Sequence, residues 1–291
     1  MSSPAGPSYP GGPPYGAPAV CVRHPDRATG LRCTRCDRPS CPECLREAAV
    51  GHQCVDCVAQ GTRGVRRGVT IAGAVPGGRP LVTPVLVALN VALFAWTAAQ
   101  AGSIAANYRS ATFQEWALVS ARLADGEWWR ILTSGFLHFG PIHLAFNMLA
   151  LWFIGRDVEM VLGRTRFLAV YLVSLVGGAA AAIVVAGTAG PFAGASGAVF
   201  GLMGALVVVL RRLRMPRGPV LVLIGINLAL GILVPVISVT GHLGGLVVGA
   251  AATAVLVYAP AAHRNAFQAA GLLGIVVLLV AAVAARVALV G

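Results

Sequence analysis

Four polar residues sit inside long apolar stretches of this sequence, and their types suit acyl transfer: Ser196, His242, His143 and Asn147. A serine hydroxyl is a weak nucleophile and needs an adjacent base to take its proton. A histidine can do that and return the proton to a leaving amine. A triad would add a carboxylate behind the histidine. The last acidic residue in the chain is Glu159, so none is available on the later segments, and the expectation is a Ser196–His242 dyad. His143 and Asn147 stand four positions apart, on one helix face and one turn from each other. They suit hydrogen-bond donation to an oxyanion, helped by the backbone N–H of Ser196 at a helix start. Phe200, four residues after Ser196, offers an aromatic surface to orient His242.

The elements that must position these groups are membrane helices. Of 291 residues, 57% are hydrophobic and only 11% charged, with a mean hydropathy of +0.78. Soluble domains carry about a quarter charged residues, so an ordinary soluble enzyme is excluded. About twenty apolar residues cross a bilayer, and such windows fall near 81–101, 143–162, 166–186, 194–210, 218–237, 241–258 and 267–289. Arg156, Asp157 and Glu159 lie in the final turns of the second. The chain opens with a Pro/Gly/Tyr-rich stretch rather than the pattern of a cleavable signal peptide.

Orientation follows from arginines in short loops. Arg63, Arg66, Arg67 and Arg79 precede the first window, and Arg211, Arg212, Arg214 and Arg217 follow the fourth. Both clusters are cytoplasmic if the N-terminus is inside, which leaves the C-terminus outside. Windows two, four and six then run inward, and all four polar residues fall in their first two turns, at one depth near the outer surface. Gly197 and Gly201 form one GxxxG pair and Gly245 and Gly249 another. Such pairs let membrane helices approach closely, bringing Ser196 toward His242.

These residues carry a resemblance. Trp129-Arg130, His138, His143-x3-Asn147, Glu159, Gly194-Ala195-Ser196-Gly197 and His242-x2-Gly245-x3-Gly249 resemble the rhomboid family of intramembrane serine proteases over roughly 81–260. The resemblance implies an all-α polytopic fold with a six-helix core, leaving 261–291 as an extra seventh transmembrane helix. It implies Ser196 as nucleophile, His242 as base, and His143 and Asn147 at the oxyanion. Trp129 and Arg130 would belong to a structural motif of a membrane-embedded first loop, and Glu159 would help anchor the structure. His138 stays outside the catalytic set. Gly241 stands where alanine is common, and Phe200 where the family often has tyrosine.

Location sets the expected substrate: a transmembrane protein segment with helix-weakening residues near the outer face. The uncharged connection Gly187–Ala193 suits a water-filled cavity beside Ser196, because irregular backbone at membrane depth is tolerated where it lines one.

A second chemistry lies in the first 80 residues, which hold all seven cysteines. After a Pro/Gly-rich tail at 1–20, expected to be disordered, come Cys21-x2-His24, Cys33-x2-Cys36, Cys41-x2-Cys44 and Cys54-x2-Cys57. Four ligand pairs at this spacing predict structural zinc, and a reducing cytoplasmic location disfavours disulfides. Eight ligands make two ions over 21–57. The spacing resembles the B-box class, which implies that the first and third pairs share one ion and the second and fourth the other. His52 is a spare ligand that competes with Cys54 or Cys57. Metal binding and folding should be coupled in so small a segment. Residues 58–80 read as a basic linker. The zinc fold suits a protein partner or tuning of the protease.

Other functions fit less well. The net charge of +12 comes from arginine alone, without the aromatic-rich basic face of a nucleic-acid binder. A transporter would place polar groups through the midplane rather than at one depth. A catalytically inactive relative that binds membrane-protein clients is the remaining alternative, though Ser196 and His242 are both present.

Overall fold

Two units, divided between Arg67 and Gly68, solve different burial problems. The computed structural model describes residues 19–63, 68–75, 78–186, 190–233 and 238–290. Outside the described residues lie 1–18 of the expected tail, 64–67 and 76–77 of the linker, 187–189 of the connection before Ser196, 234–237 of the window at 218–237, and 291 at the end of the segment 261–291.

The first unit has almost nothing apolar to bury. Strand β1 (Val20–Cys21) pairs antiparallel with β2 (His24–Ala28), and β3 (Leu45–Glu47) with β4 (His52–Cys54). Helix α1 (Val55–Thr62) starts at Cys54, whose Sγ accepts the Cys57 N–H. Its two buried clusters are Cys21, Cys41 and Cys44, and Cys33, Leu45, Cys54 and Cys57. Leu45 is their one residue that is not a cysteine, so the thiols are the core.

The second unit is helical: α2 (Val82–Ala101), α3 (Ala111–Trp116), α4 (Ser120–Ala124), α5 (Arg130–Thr133), α6 (Gly140–Ala150), α7 (Arg156–Leu162), α8 (Arg164–Ala181), α9 (Ser196–Arg212), α10 (Gly218–Leu233), α11 (Val239–Val257) and α12 (Arg264–Val290). A π-helical turn at Leu151–Gly155 joins α6 to α7, so the second window is one helix to Leu162, its charged residues included. Among the described residues, four helices are long and apolar enough to cross a membrane: Val82–Ala101, Arg164–Val185, Val239–Val257 and Ala261–Leu289. A fifth candidate is the pair Arg130–Phe136 and Gly140–Leu162, bent by 91°. Helices α9 and α10 coincide with expected windows but have 17 and 16 residues. The window at 194–210 overshoots for a physical reason. Gly194 has φ +139, and Phe192 exchanges both backbone hydrogen bonds with Leu118 at 3.0 and 2.8 Å. Helix cannot begin until Ser196.

Helix α8 is the most buried of the membrane-length helices and α12 the least. Helices α8, α9 and α11 meet through glycines. A Cβ on Gly245 would overlap the Gly197 carbonyl oxygen, and one on Gly249 would overlap the Gly201 backbone. The two GxxxG pairs therefore face each other across α9 and α11. Gly178 of α8 closes the third side, where a Cβ would stand 2.9 Å from the Gly241 carbonyl oxygen and 3.1 Å from Gly197 Cα.

Glu159 ties α7 to the start of α2. Its Oε1 accepts the Leu81 and Val82 N–H groups at 2.7 and 2.8 Å. Its Oε2 accepts the Thr83 N–H and hydroxyl at 2.8 and 2.7 Å. A helix start carries unsatisfied N–H groups and partial positive charge, which is why a carboxylate is stable there at 2% exposure. At the same end Gln268 of α12 donates to the Ala72 and Leu256 carbonyls at 3.0 and 2.8 Å and accepts from Arg166 at 2.8 Å. Residues 68–75 are thus packed against the membrane unit.

Candidate active site

The loop between α2 and α6 builds one wall of the site. Arg130 is buried within it, donating to the Gln114 and Ala117 carbonyls at 2.7 and 2.8 Å and pairing with Glu127. That guanidinium satisfies carbonyls at the end of α3, where the chain turns to reach Leu118. Trp129 is exposed, and its carbonyl accepts the Thr133 hydroxyl at 3.1 Å. The loop in turn grips the segment before the serine through the Leu118–Phe192 pairing and a Gly194 N–H to Ser134 carbonyl bond of 2.9 Å.

Ser196 begins α9, so its backbone N–H belongs to the unsatisfied first turn. Gly194 must be glycine on two grounds, its φ of +139 and its neighbours. A Cβ there would lie 2.8 Å from His143 Cε1, 3.0 Å from His143 Nε2 and 3.6 Å from Ser196 Oγ. One small volume is thus bordered by both Ser196 Oγ and His143 Nε2.

The tautomer of His143 follows from its other nitrogen. Nδ1 accepts the Phe139 backbone N–H at 3.2 Å, so in the neutral ring the proton sits on Nε2. An N–H donor therefore points at the volume beside Ser196 Oγ. Asn147, buried one turn later, donates from Nδ2 to the His143 carbonyl at 2.9 Å. Its amide has a second hydrogen to offer.

His242 lies in the first turn of α11, its ring stacked on Phe200 with centroids 4.1 Å apart and planes at 16°. Its Nδ1 is buried without a hydrogen-bond partner. The nearest acidic residue in sequence, Glu159, is fully engaged at the start of α2. Packing on Phe200, rather than a carboxylate, orients the ring. Contact of Gly245 with Gly197 sets the height at which His242 faces the start of α9.

Three further groups escaped the sequence reading. Glu127 pairs with Arg130, Ser134 holds Gly194, and Asn107 makes three hydrogen bonds behind His143. Two of these act on backbone atoms, which no residue pattern announces. His138 is buried and meets His143 edge-on, their ring centroids 5.2 Å apart.

In the first unit the eight ligand residues gather in two sets: Cys21, His24, Cys41 and Cys44, and Cys33, Cys36, Cys54 and Cys57. Within each set the ligand atoms lie within 4.8 Å of one another. His52 is exposed on β4 and belongs to neither set. Bond lengths of about 2.3 Å for Zn–S and 2.0–2.1 Å for Zn–N give tetrahedral edges of about 3.8 Å for S–S and 3.6 Å for S–N. Cys36 Sγ and Cys54 Sγ are 3.8 Å apart. His24 Nδ1 lies 3.4 Å from both Cys41 Sγ and Cys44 Sγ, and 3.9 Å from Cys21 Sγ. These sets fit a metal ion, and 3.8 Å is far too long for a disulfide. The backbone N–H of Cys54 donates to Cys33 Sγ at 3.1 Å, and Arg38 Nε to Cys36 Sγ at 3.4 Å, bonds that favour thiolates. The Cys21 thiol is pushed down to about 6, first by hydrogen bonding from the Cys41 backbone.

Comparison with known proteins agrees with this geometry. Residues 125–259 match the family model described as "Rhomboid domain". The chain is 40% identical over 192 residues to "Rhomboid protease GluP" of Bacillus subtilis, covering 64% of this chain and 37% of that protein. It is 42% identical over 82 residues to "Putative rhomboid protease YdcA" of the same organism, covering 28% and 41%. With "Rhomboid protease GlpG" of Photorhabdus laumondii it shares 30% over 125 residues, covering 43% and 40%. The chain thus spans less than half the length of these relatives.

Proposed function

From the rhomboid domain that this chain carries over residues 125–259, we propose that the protein is an intramembrane serine endopeptidase. Ser196 Oγ attacks the scissile carbonyl carbon while its proton passes to His242 Nε2. The tetrahedral oxyanion is held by His143 Nε2–H, the Ser196 backbone N–H and the second hydrogen of the Asn147 amide. As the C–N bond breaks, His242 gives its proton to the leaving amine. Water then attacks the acyl–enzyme by the same proton route and frees Ser196.

The observation that carries this reading is the His143 tautomer. The Phe139 N–H occupies Nδ1, so the ring offers a donor beside Ser196 Oγ, as an oxyanion site requires.

The substrates on this reading are transmembrane proteins, cut where a segment unwinds near the Ser196 end of the bundle. Six helices, α2, α6–α7, α8, α9, α10 and α11, form the protease core and α12 a seventh span. The arginine distribution favours a cytoplasmic N-terminus with Ser196 facing the other side. The two cysteine–histidine sets hold one structural zinc ion each and form a docking module for a protein partner.

Reconstitution in liposomes with a labelled transmembrane substrate tests the reading. The parent should release fragments cut at one or a few neighbouring bonds near one membrane face, by mass spectrometry, and Ser196→Ala should release none. Equal cleavage by Ser196→Ala overturns the mechanism. Tight substrate retention without any cleavage by the parent favours the client-binding alternative.

A further inference from the structure

We infer that Asn107 is a positioning residue for the oxyanion donor: its amide clamps a three-residue turn that fixes the tautomer of His143. This inference rests on the proteolytic reading above for its catalytic consequence, but not for its geometry.

Asn107 is fully buried at the end of the loop that follows α2. Its Nδ2 donates to the His138 carbonyl at 2.8 Å, and its Oδ1 accepts the Gly140 N–H at 3.0 Å. These two partners allow only one amide orientation, because a carbonyl cannot donate and an N–H cannot accept. The second Nδ2 hydrogen reaches Thr97 Oγ1 of α2 at 3.2 Å. Thr97 in turn donates to the Phe94 carbonyl at 3.0 Å, so the clamp is anchored on a membrane-length helix.

What the clamp grips is a tight turn. Gly140 N–H also points to the His138 carbonyl at 3.1 Å, and Phe139 between them has φ −79 and ψ 88. That is close to an inverse γ-turn, common at segment ends but with only one weak bond to hold it. Asn107 bridges both ends of that bond. The central residue is Phe139, whose N–H makes the bond to His143 Nδ1 at 3.2 Å. Phe139 also lies parallel to the His143 ring, with planes at 12°.

The chain of cause is short. Asn107 holds His138 and Gly140, the turn between them aims the Phe139 N–H, and that N–H keeps the proton of His143 on Nε2. Among the described residues, the Phe139 N–H is the hydrogen bond that fixes this tautomer. The neighbouring His138 ring meets His143 edge-on and makes no hydrogen bond to it. If the turn relaxes, His143 can place its proton on Nδ1, and the atom beside Ser196 becomes an acceptor that repels an oxyanion.

Asn107→Asp tests this with little change of shape. It removes the donor and sets an oxygen against the His138 carbonyl. Full-length protein labelled with 15N-histidine in detergent micelles reads the tautomer, with His143 signals assigned by His143→Gln. The parent should show an unprotonated Nδ1 and protonated Nε2. Asn107→Asp should shift His143 to mixed tautomers and lower kcat about tenfold or more with KM nearly unchanged, as expected when only transition-state stabilisation weakens. Asn107→Ala, which introduces no repulsion, should move both readings in the same direction and serves if the aspartate variant does not fold. Thr97→Val, which removes only the anchor, should cost less than either. A folded Asn107 variant with the parental tautomer overturns the inference, even if its melting temperature has dropped. A shifted tautomer in a protein whose parent cleaves nothing would uphold the clamp and sink the protease reading instead.

Discussion

The two units hold themselves together by opposite means. In the first, ligand side chains make up nearly the whole core: seven cysteines and His24 supply both metal-binding sets, and Leu45 is the one buried aliphatic among them. In the second, side chains are missing where it matters most. Gly197 and Gly201 meet Gly245 and Gly249 backbone to backbone, and Ser196 and His242, the groups proposed to be catalytic, take their height from that contact. The first unit is therefore built around side chains that can hold a metal ion, and the second around side chains that are absent. Removing a metal should unmake one, and adding a methyl group should unmake the other.

Four changes sharpen the contrast, from the largest effect down. Ser196→Ala and His242→Ala should each lower cleavage by about a thousandfold or more, as in other nucleophile–base pairs, with unchanged thermal stability by scanning fluorimetry. Gly245→Ala comes next. Its Cβ would overlap the Gly197 carbonyl, so α11 must shift, and activity should fall at least about tenfold, with a stability loss of about 1–3 kcal/mol. Gly249→Ala, one turn further from His242, should cost similar stability but less activity.

Chelation probes the other unit. Treatment with a strong chelator, or Cys33→Ser with Cys21→Ser, should lower bound metal from two ions per chain by elemental analysis and unfold residues 19–63 by hydrogen exchange. Labelling of Ser196 in the same sample should stay within about twofold of the parent, since the ligands lie outside the catalytic set. Loss of labelling together with metal would break the division drawn here. The smallest effect is expected from Phe200→Tyr, which keeps the stacked ring on His242 and should leave kcat within about twofold.

Legibility in the sequence divided along the same line. The ligand sets were readable because cysteine pairs two apart have few other uses, and the pairing of first with third and second with fourth is the one the structure adopts. Ser196, His143 and His242 stood out because polar residues within apolar runs need a reason, and the structure places His143 beside Ser196 and His242 on Phe200 of the same helix. Glu159 carried a structural role in the sequence, and the structure supplies the mechanism, four hydrogen bonds at the start of α2. Asn107 was invisible, being an unremarked amide in a loop 31 residues before the carbonyl it grips. The helix start at Ser196 was legible, but the apolar window opened two residues earlier, at 194, because the Leu118–Phe192 pairing joins segments 74 positions apart. The 91° break before α6 was hidden likewise, since Gly140 turns the chain with backbone dihedrals rather than side-chain pattern. Residue types announce chemistry, whereas backbone partners that position it leave no mark on composition.

The central claim is that Ser196 is activated by His242 in a site whose oxyanion donors are preset. Intact-mass analysis of the detergent-purified protein after a fluorophosphonate probe tests it most directly. The account predicts one adduct per chain, mapped to Ser196 by peptide sequencing, and its loss in both Ser196→Ala and His242→Ala. A folded parent that stays unlabelled, or a His242→Ala variant labelled as fast as the parent, would contradict it.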